Sequence, residues 1–578
     1  MMKLSDYIVS FLEKKGIHDF FGYQGTMIAH FVDSIEKNPN TRNHSCYNEQ
    51  GAAFAACGYA QTTKSCACAY ATSGPGAANL LSGVAEAYFD SLPVIFFTGQ
   101  LNTYEYTGIP GIRQHGFQEM DVVSMAKPVT KYAVQITDEK DIVRELNKAY
   151  HIATTGRMGP VLLDLPMNIQ RGQVNEPVYE MEFEDVEKDE SEEAVKAIEE
   201  ALAQAKRPVI LLGNGVREKD VSLLLEKFAK PLKIPVVTSV LAKSELAFEH
   251  PLNFGCIGSA YGHRYANMIV NAKSDLLLCF GISLCPRQTG VNTAGFAQHA
   301  KIVRVDIDEV NLRRRIHEET SMELSFVADA GKVIEALVKE PNVENAFSKW
   351  REVCKEIKHT LQDVDNHMKE LYPNRLLGAV SEALKDTDVV SVDVGQHMIW
   401  TYQAFENREG QKLLFSGGHG AMGYALPAAI GAYYATGKPV ACICGDGAFQ
   451  MNIQELQWVK RENIPVQILV LNNQALGLIR QQQKDYFDGV FAGASEEGGF
   501  TSCPFAEVAK GYGIAAFKVA YEDAAEKLPK LLGEEGPLLV EILLENGTYA
   551  YPKTCLGEPI HNQRPYMDKE VYEKMLQL

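Results

Sequence analysis

Apolar residues in this chain fall into two patterns that alternate along its length. Short, nearly unbroken apolar runs stand at residues 65–71, 93–98, 209–212, 235–238, 276–280, 302–305, 440–444 and 466–471. Most are closed by glycine, asparagine or aspartate and read as strands buried on both faces. Between them lie segments of helical period, such as residues 4–15, where Leu4, Tyr7, Ile8, Phe11 and Leu12 share one face, and small-residue helices at 52–60 and 77–88. This alternation predicts right-handed βαβ units and parallel sheets. The expected fold class is α/β, with three doubly wound parallel-sheet domains at 1–172, 190–340 and 370–578, because 578 residues exceed what one core accommodates. An acidic, weakly apolar linker at 175–193 separates the first two, and a helical connector at about 341–372 leads into the third.

One stretch, 439–477, joins this pattern to chemistry. Its first run stops at Gly445-Asp446-Gly447; Phe449, Ile453, Leu456 and Val459 then fall on roughly one helical face; Pro465 introduces the second run, which ends in Asn472-Asn473. Parallel strands joined by a helical crossover end at the same sheet edge, so Asp446 and Asn473 are expected close together. A carboxylate and an amide oxygen are hard ligands suited to Mg²⁺, which takes one or two protein groups and completes its octahedron with phosphate and water. The N–H groups of the helix start after Gly447 favour an anion at the same place. Taken singly, these residues serve equally as a tight turn and a loop. Their spacing, with strand and helix between, favours a metal-bridged diphosphate.

GDG followed by NN at this separation resembles the thiamine diphosphate (ThDP) binding motif, and the stretch is similar to that of the acetolactate synthase group of ThDP enzymes. The resemblance continues through NEQGAAFAACGYA from Asn48, ATSGPGAANLLSGVAEAYFDSLPVIFFTGQ from Ala71, Phe117-Gln118-Glu119, and SGGHGAMG from Ser416. It implies ThDP, Mg²⁺ and FAD as cofactors, with a pyrimidine-binding first domain, a nucleotide-binding-like central domain and a diphosphate-binding third. Carried over residue by residue, it assigns Glu49 to activation of the cofactor ring, Gln118 and Phe117 to the substrate, and Gln396 and His397 to the diphosphate. Gly420 and Met422 would meet the ring, and Asp446, Gly447, Ala448 and Asn473 the diphosphate head. Asp446, Asn473 and the backbone carbonyl of Ala475 would ligate the metal. The matched FAD positions are Gly213, Gly215, Thr238, Ser239, Arg287, Asp306 and Asp329. The implied reaction is decarboxylation of a 2-oxo acid, pyruvate by analogy, with transfer of the acyl carbanion to a second carbonyl compound. The implied active site lies between two chains of a homodimer or dimer of dimers.

Residue chemistry supports some of these roles independently. Glu49 opens a helix so rich in alanine and glycine that it must pack closely, and an apolar setting favours the neutral, proton-donating form of a carboxyl group. Serving the helix dipole is the alternative use of a glutamate there. Gln118 can donate to a 2-oxo acid while Phe117 supplies an apolar wall. A bare Gly213-Asn214-Gly215 turn is a weak nucleotide signal, and a histidine such as His397, taken alone, is more often a surface residue.

Two departures from the acetolactate synthase pattern bear on the acceptor. Where that group has Arg-Gln-Trp-Gln, this chain has Arg480-Gln481-Gln482-Gln483; where it has Pro-Lys-Asp, this chain has Pro166-Met167-Asn168 and lacks the positive charge. The expected acceptor is larger or more polar than a second pyruvate, such as a keto-sugar nucleotide. A pyruvate oxidase-type flavoenzyme is the other alternative, although nothing in the sequence marks an electron route to a flavin.

Composition narrows the partners. The formal net charge of −18 offers no basic face to nucleic acid or an anionic membrane, and no apolar run approaches the roughly 18 residues of a membrane span. The amphipathic amino terminus does not read as a signal peptide, so the cytoplasm is the expected location. The 12 cysteines include no CxxC, and the i, i+2 pairs Cys66/Cys68 and Cys442/Cys444 read as reduced core thiols. The polar tail, 549–578, is expected over the site entrance.

Overall fold

The computed structural model describes residues 1–578 except 107–108, 110, 185–187, 217–219, 318–321, 339–345 and 534–535. Three six-stranded sheets organise the chain, and every strand pairing within them is parallel. The first holds β1 (Asp19–Gly22), β2 (Arg42–Ser45), β3 (Ala67–Ala71), β4 (Val94–Gln100), β5 (Tyr132–Gln135) and β6 (Val161–Pro166) in the order β2-β1-β3-β4-β6-β5. The central sheet holds β7 (Pro208–Leu212), β8 (Val236–Thr238), β9 (Asn253–Cys256), β10 (Leu276–Phe280), β11 (Lys301–Asp306) and β12 (Glu323–Val327), ordered β9-β8-β7-β10-β11-β12. The third holds β13 (Val389–Val392), β14 (Lys412–Phe415), β15 (Val440–Gly445), β16 (Val466–Asn472), β17 (Ala515–Ala520) and β18 (Leu538–Leu543), ordered β14-β13-β15-β16-β18-β17. The first and third sheets thus share one topology. In the central sheet the winding reverses between β7 and β10, where open α/β sheets form their ligand crevice. Strands such as β3, β7 and β10 are buried at every position, which is why they read as unbroken apolar runs.

Five helices position the site: α1 (Glu49–Thr63), α2 (Pro75–Phe89), α3 (Gln396–Ala404), α4 (Ala425–Thr436) and α5 (Gly477–Tyr486). Asn48 caps α1 by accepting from the Gln50 N–H at 2.8 Å. Small residues let α1 approach its neighbours backbone to backbone. A Cβ on Gly58 would stand 2.3 Å from the Ala428 carbonyl oxygen, and one on Gly431 1.9 Å from that of Ala55. The first and third domains therefore share one core, in which Phe54 and Ala56 meet Tyr424, Ala428 and Trp458.

Three expectations are corrected here. The segment after Gly447 is not one helix: Asp446–Phe449 and Leu456–Glu462 are separated by tighter turns in which Asn452 is non-helical (φ −131°, ψ 33°). Asn452 instead donates to the Gly423 carbonyl at 2.8 Å and to Gln50 Oε1 at 3.2 Å, and such side-chain bonds compete with helical geometry. The connector's helix, Ser348–His367, buries Trp350, Cys354, Ile357 and Leu361 in the central core rather than standing between domains; residues 341–345 of that call lie outside the described ones. The tail passes the site at Thr548–Lys553, where Lys553 pairs with Asp485 of α5, and then crosses to the central domain. There Ile560 and Met575 join the core, and buried Arg264 donates to the Gln563 carbonyl at 2.7 Å. Among the described residues no helix is long and apolar enough to cross a membrane.

Candidate functional site

β15 and β16 pair Gly445 with Leu471, so the two strands end together and Asp446 and Asn473 follow within two residues. Gln474 adopts φ +55°, with its N–H held by Asn472 Oδ1 at 3.0 Å, and this turn brings the Ala475 N–H to the Asp446 carboxylate. Burial pushes the Asp446 carboxyl up to about 6, against the stabilising N–H groups and the Ser502 hydroxyl. Its Oδ2 is buried without a partner among the described residues. Asn473 Nδ2 donates to Gln396 Oε1 at 2.9 Å, which leaves the Asn473 carbonyl oxygen for a ligand. Gln396 in turn donates to the Thr548 carbonyl at 3.0 Å.

His397, far from being a surface residue, is buried against Gly395 and Gly445, where added Cβ atoms would come within 2.5 and 2.7 Å of its ring. Burial lowers its pKa to about 3, so the imidazole is neutral, and its Nε2 has no partner among the described residues. A Cβ on Gly447 would meet Leu476 at 2.4 Å and the Met422 methyl at 3.5 Å. Gly420 takes φ +73° with open space around its Cβ position, while Ala448 and Ala475 are buried beside the turn. A partnerless carboxylate oxygen, a partnerless neutral imidazole and a helix start around a glycine cradle fit a metal-bound diphosphate. Among the described residues no three His, Cys, Asp or Glu side chains cluster to hold a metal.

Glu49 lies in a second cluster. It is 7% exposed, accepts from Asn79 Nδ2 at 2.9 Å on Oε2, and turns Oε1 towards Gly76, whose Cβ would come within 3.0 Å. The same loop carries Thr72 and Ser73, whose buried hydroxyls have no partner among the described residues, and Gly74, against which Gln118 packs with φ +63°. Glu49 and Gln118 thus meet at loop 72–76, whereas Phe117 projects outwards, 78% exposed. On α5, Gln481 is buried and bonded to both the N–H and the carbonyl of Ala550 at 2.9 and 3.1 Å, while Gln482 is exposed.

The central sheet opens at its reversal into a cavity of about 510 Å³ lined by Gly213, Gly215, Ser239, Arg287, Asp306 and Asp329. The glycines let two turns touch: a Gly213 Cβ would stand 1.9 Å from the Gly281 carbonyl oxygen. Thr238 lies behind the lining, its hydroxyl 3.1 Å from Cys256 Sγ. Asp90, Met398, Tyr402 and Gly417 close the cavity from the other two domains. Sequence reading missed these four, and Ser502 as well, because each acts across a domain or loop boundary. The one signal is a Glu and an Asp set among small and apolar residues in GVAEAYFD.

Residues 2–125, 195–337 and 393–542 match, in that order, the families described as thiamine pyrophosphate enzyme, N-terminal TPP binding domain; central domain; and C-terminal TPP binding domain. The chain is 32% identical over 570 residues to acetolactate synthase 1, chloroplastic, of Oryza sativa subsp. japonica, covering 96% of this chain and 86% of that protein. It is 32% identical over 560 residues to acetolactate synthase isozyme 2 large subunit of Escherichia coli (strain K12), covering 95% and 97%. The isozyme 1 large subunit of the same organism is 32% identical over 563 residues, covering 96% of each chain.

Proposed function

The chain belongs to the thiamine pyrophosphate enzyme family as a ThDP-dependent carboligase, and from that premise we propose that it uses Mg²⁺, takes pyruvate as donor and adds the acetyl unit to a polar carbonyl acceptor. The observation that carries this reading is the partnerless, buried Asp446 Oδ2 at the shared end of β15 and β16. Asp446, Asn473 and the Ala475 carbonyl would hold the metal, with Gln396, His397, Gly447 and Ala448 around the diphosphate and Gly420 and Met422 beside the ring. Bound ThDP supplies the electron sink that lets a 2-oxo acid lose carbon dioxide and its acyl carbon attack another carbonyl. Glu49 Oε1, the oxygen that Asn79 leaves open, is the atom to hold a proton towards the ring. Gln118 would donate to a substrate oxygen.

Glu49 and Asp446 make their contacts within separate domains, and Phe117 is an exposed aromatic beside the site; both facts support a site completed by a second chain, in a homodimer or dimer of dimers. There Phe117 would exclude water. FAD would occupy the central cavity, with Gly213 and Gly215 allowing close backbone approach and Ser239, Arg287, Asp306 and Asp329 offering polar contacts. The exposed amide of Gln482 supports a keto-sugar nucleotide, or another acceptor larger or more polar than pyruvate. Twelve free cysteines, nine of them buried, accord with a cytoplasmic setting. Incubation with ThDP, Mg²⁺ and pyruvate alone tests the acceptor: the expected result is slow acetolactate formation and fast pyruvate consumption once a keto-sugar nucleotide is added. Brisk acetolactate formation from pyruvate alone would overturn that part of the reading.

A further inference from the structure

We propose that Glu86 and Asp90 are positioning residues whose carboxyl groups share one proton and clamp loop 416–423 from across the domain boundary, so holding Gly420 and Met422 in place. The inference rests on the reading that these two residues face ThDP.

The two acids lie four residues apart at the carboxyl end of α2, on one side of the helix, and both are buried. Ser416 Oγ donates to Glu86 Oε2 at 2.6 Å and accepts from the Ala421 N–H at 2.9 Å, which closes the loop on itself. Asp90 accepts from the Gly417 and Gly418 N–H groups, at 2.9 and 2.6 Å, one on each carboxylate oxygen. At the loop's other end Asp393 accepts from the N–H groups of Gly423 and Ala425, at 2.9 and 3.0 Å. The segment carrying Gly420 and Met422 is therefore bracketed by carboxylates from two domains. A Cβ on Gly418 would stand 2.9 Å from Asp90 Oδ1, so the approach leaves no room for a side chain.

The charge arrangement accounts for the proton. Glu86 Oε1 is buried with no hydrogen-bond donor among the described residues, and the group facing it is Asp90. Two buried carboxyl groups in contact cannot both ionise. Neither acid has a lysine or arginine partner among the described residues; the His419 ring lies on the Asp90 side and stacks on Phe89 with centroids 5.7 Å apart. Asp90 has two N–H donors to stabilise its charge and Glu86 only a hydroxyl, so the proton sits on Glu86 and points at Asp90. Burial accordingly pushes Glu86 well above the usual carboxyl range, whereas the Gly417 and Gly418 N–H groups oppose the rise at Asp90. Asp90, Gly417 and Gly418 also form part of the wall of the central cavity, which places the clamp between that cavity and the loop.

A protonated acid that donates once and accepts once is matched by glutamine, so Glu86→Gln keeps both bonds. Glu86→Ala and Asp90→Asn cannot. The test is hydrogen–deuterium exchange of the amides in 416–423 of the full chain without cofactor, together with the ThDP dissociation constant at saturating Mg²⁺. The expected result is wild-type protection in Glu86→Gln, with faster loop exchange and roughly tenfold weaker ThDP binding in Glu86→Ala and Asp90→Asn, the scale of one lost charge-assisted hydrogen bond. Equal loss of protection in Glu86→Gln and Glu86→Ala would overturn the shared proton, and unchanged exchange in Asp90→Asn would overturn the clamp. Should Asp90→Asn fail to fold, the two Glu86 variants decide the matter between them. A wild-type chain that binds no ThDP would refute the cofactor reading, while the exchange comparison would still judge the clamp.

Discussion

Gly431→Ala tests whether the first and third domains are held at one fixed spacing. The added Cβ would stand 1.9 Å from the Ala55 carbonyl oxygen, whereas ordinary contact begins at 3.4 Å, so α1 and α4 must part by roughly 1.5 Å or bend. Overpacking of this kind costs about 1–3 kcal/mol. The effect on chemistry should be larger than the effect on stability, because α1 begins at Glu49 and α4 follows directly on the loop of Gly420 and Met422. Misplacing catalytic groups by about 1 Å costs on the order of 100-fold in rate. The assays are the denaturant midpoint and kcat for pyruvate consumption. Gly378→Ala is the control: it lies within helix Tyr372–Ala383 with nothing among the described residues within 4 Å of its Cβ position. There alanine should stabilise by about 0.5–1 kcal/mol and leave kcat unchanged. A Gly431→Ala protein as stable and active as wild type would refute the close helix contact.

Two further outcomes follow from buried carboxyl groups. Glu49→Gln should lower kcat roughly 10²–10⁴-fold while leaving ThDP affinity within a few-fold, as measured by single-turnover pyruvate decarboxylation and by titration; equal loss of affinity would mean a binding rather than a proton-holding role. Burial pushes the Glu455 carboxyl from 4.5 up to about 7, opposed by the Tyr47 N–H, so the folded protein favours its neutral form. The cost is absent below the unfolded pKa and grows as pH rises towards about 7, reaching about 3 kcal/mol. Glu455→Gln should therefore be more stable than wild type near pH 8 and no more stable near pH 5, as read by denaturant midpoints; a pH-independent difference would contradict this.

The strands and the turn after Gly445 are legible in the sequence for one reason: parallel strands covered on both faces must be apolar throughout, and their ends must turn. The runs at 440–444 and 466–471 therefore announce β15 and β16, and with them the neighbourhood of Asp446 and Asn473. The alanine and glycine content of α1 announces close packing but not its partner, because α4 is just as small and apolar and lies more than 350 residues away. The break at Asn452 is invisible to periodicity, since Phe449, Ile453, Leu456 and Val459 keep helical spacing while a side-chain bond to Gly423 overrides it. His397 reads as a surface residue because the two glycines that admit its ring are ordinary turn residues in the sequence. The closure of the central cavity by Asp90 and Tyr402, and the tail's path to the central core, depend on contacts between domains that no local pattern encodes.

The central claim is that the ends of β15 and β16 hold a metal-bridged diphosphate through Asp446. The most direct measurement is calorimetric titration of ThDP into wild type and Asp446→Asn, each with and without Mg²⁺. The account predicts tight binding to wild type only with Mg²⁺, and binding to Asp446→Asn weakened on the order of 100-fold and indifferent to the metal. Tight binding to wild type without Mg²⁺, or equal Mg²⁺-dependent affinity in the two proteins, would contradict it.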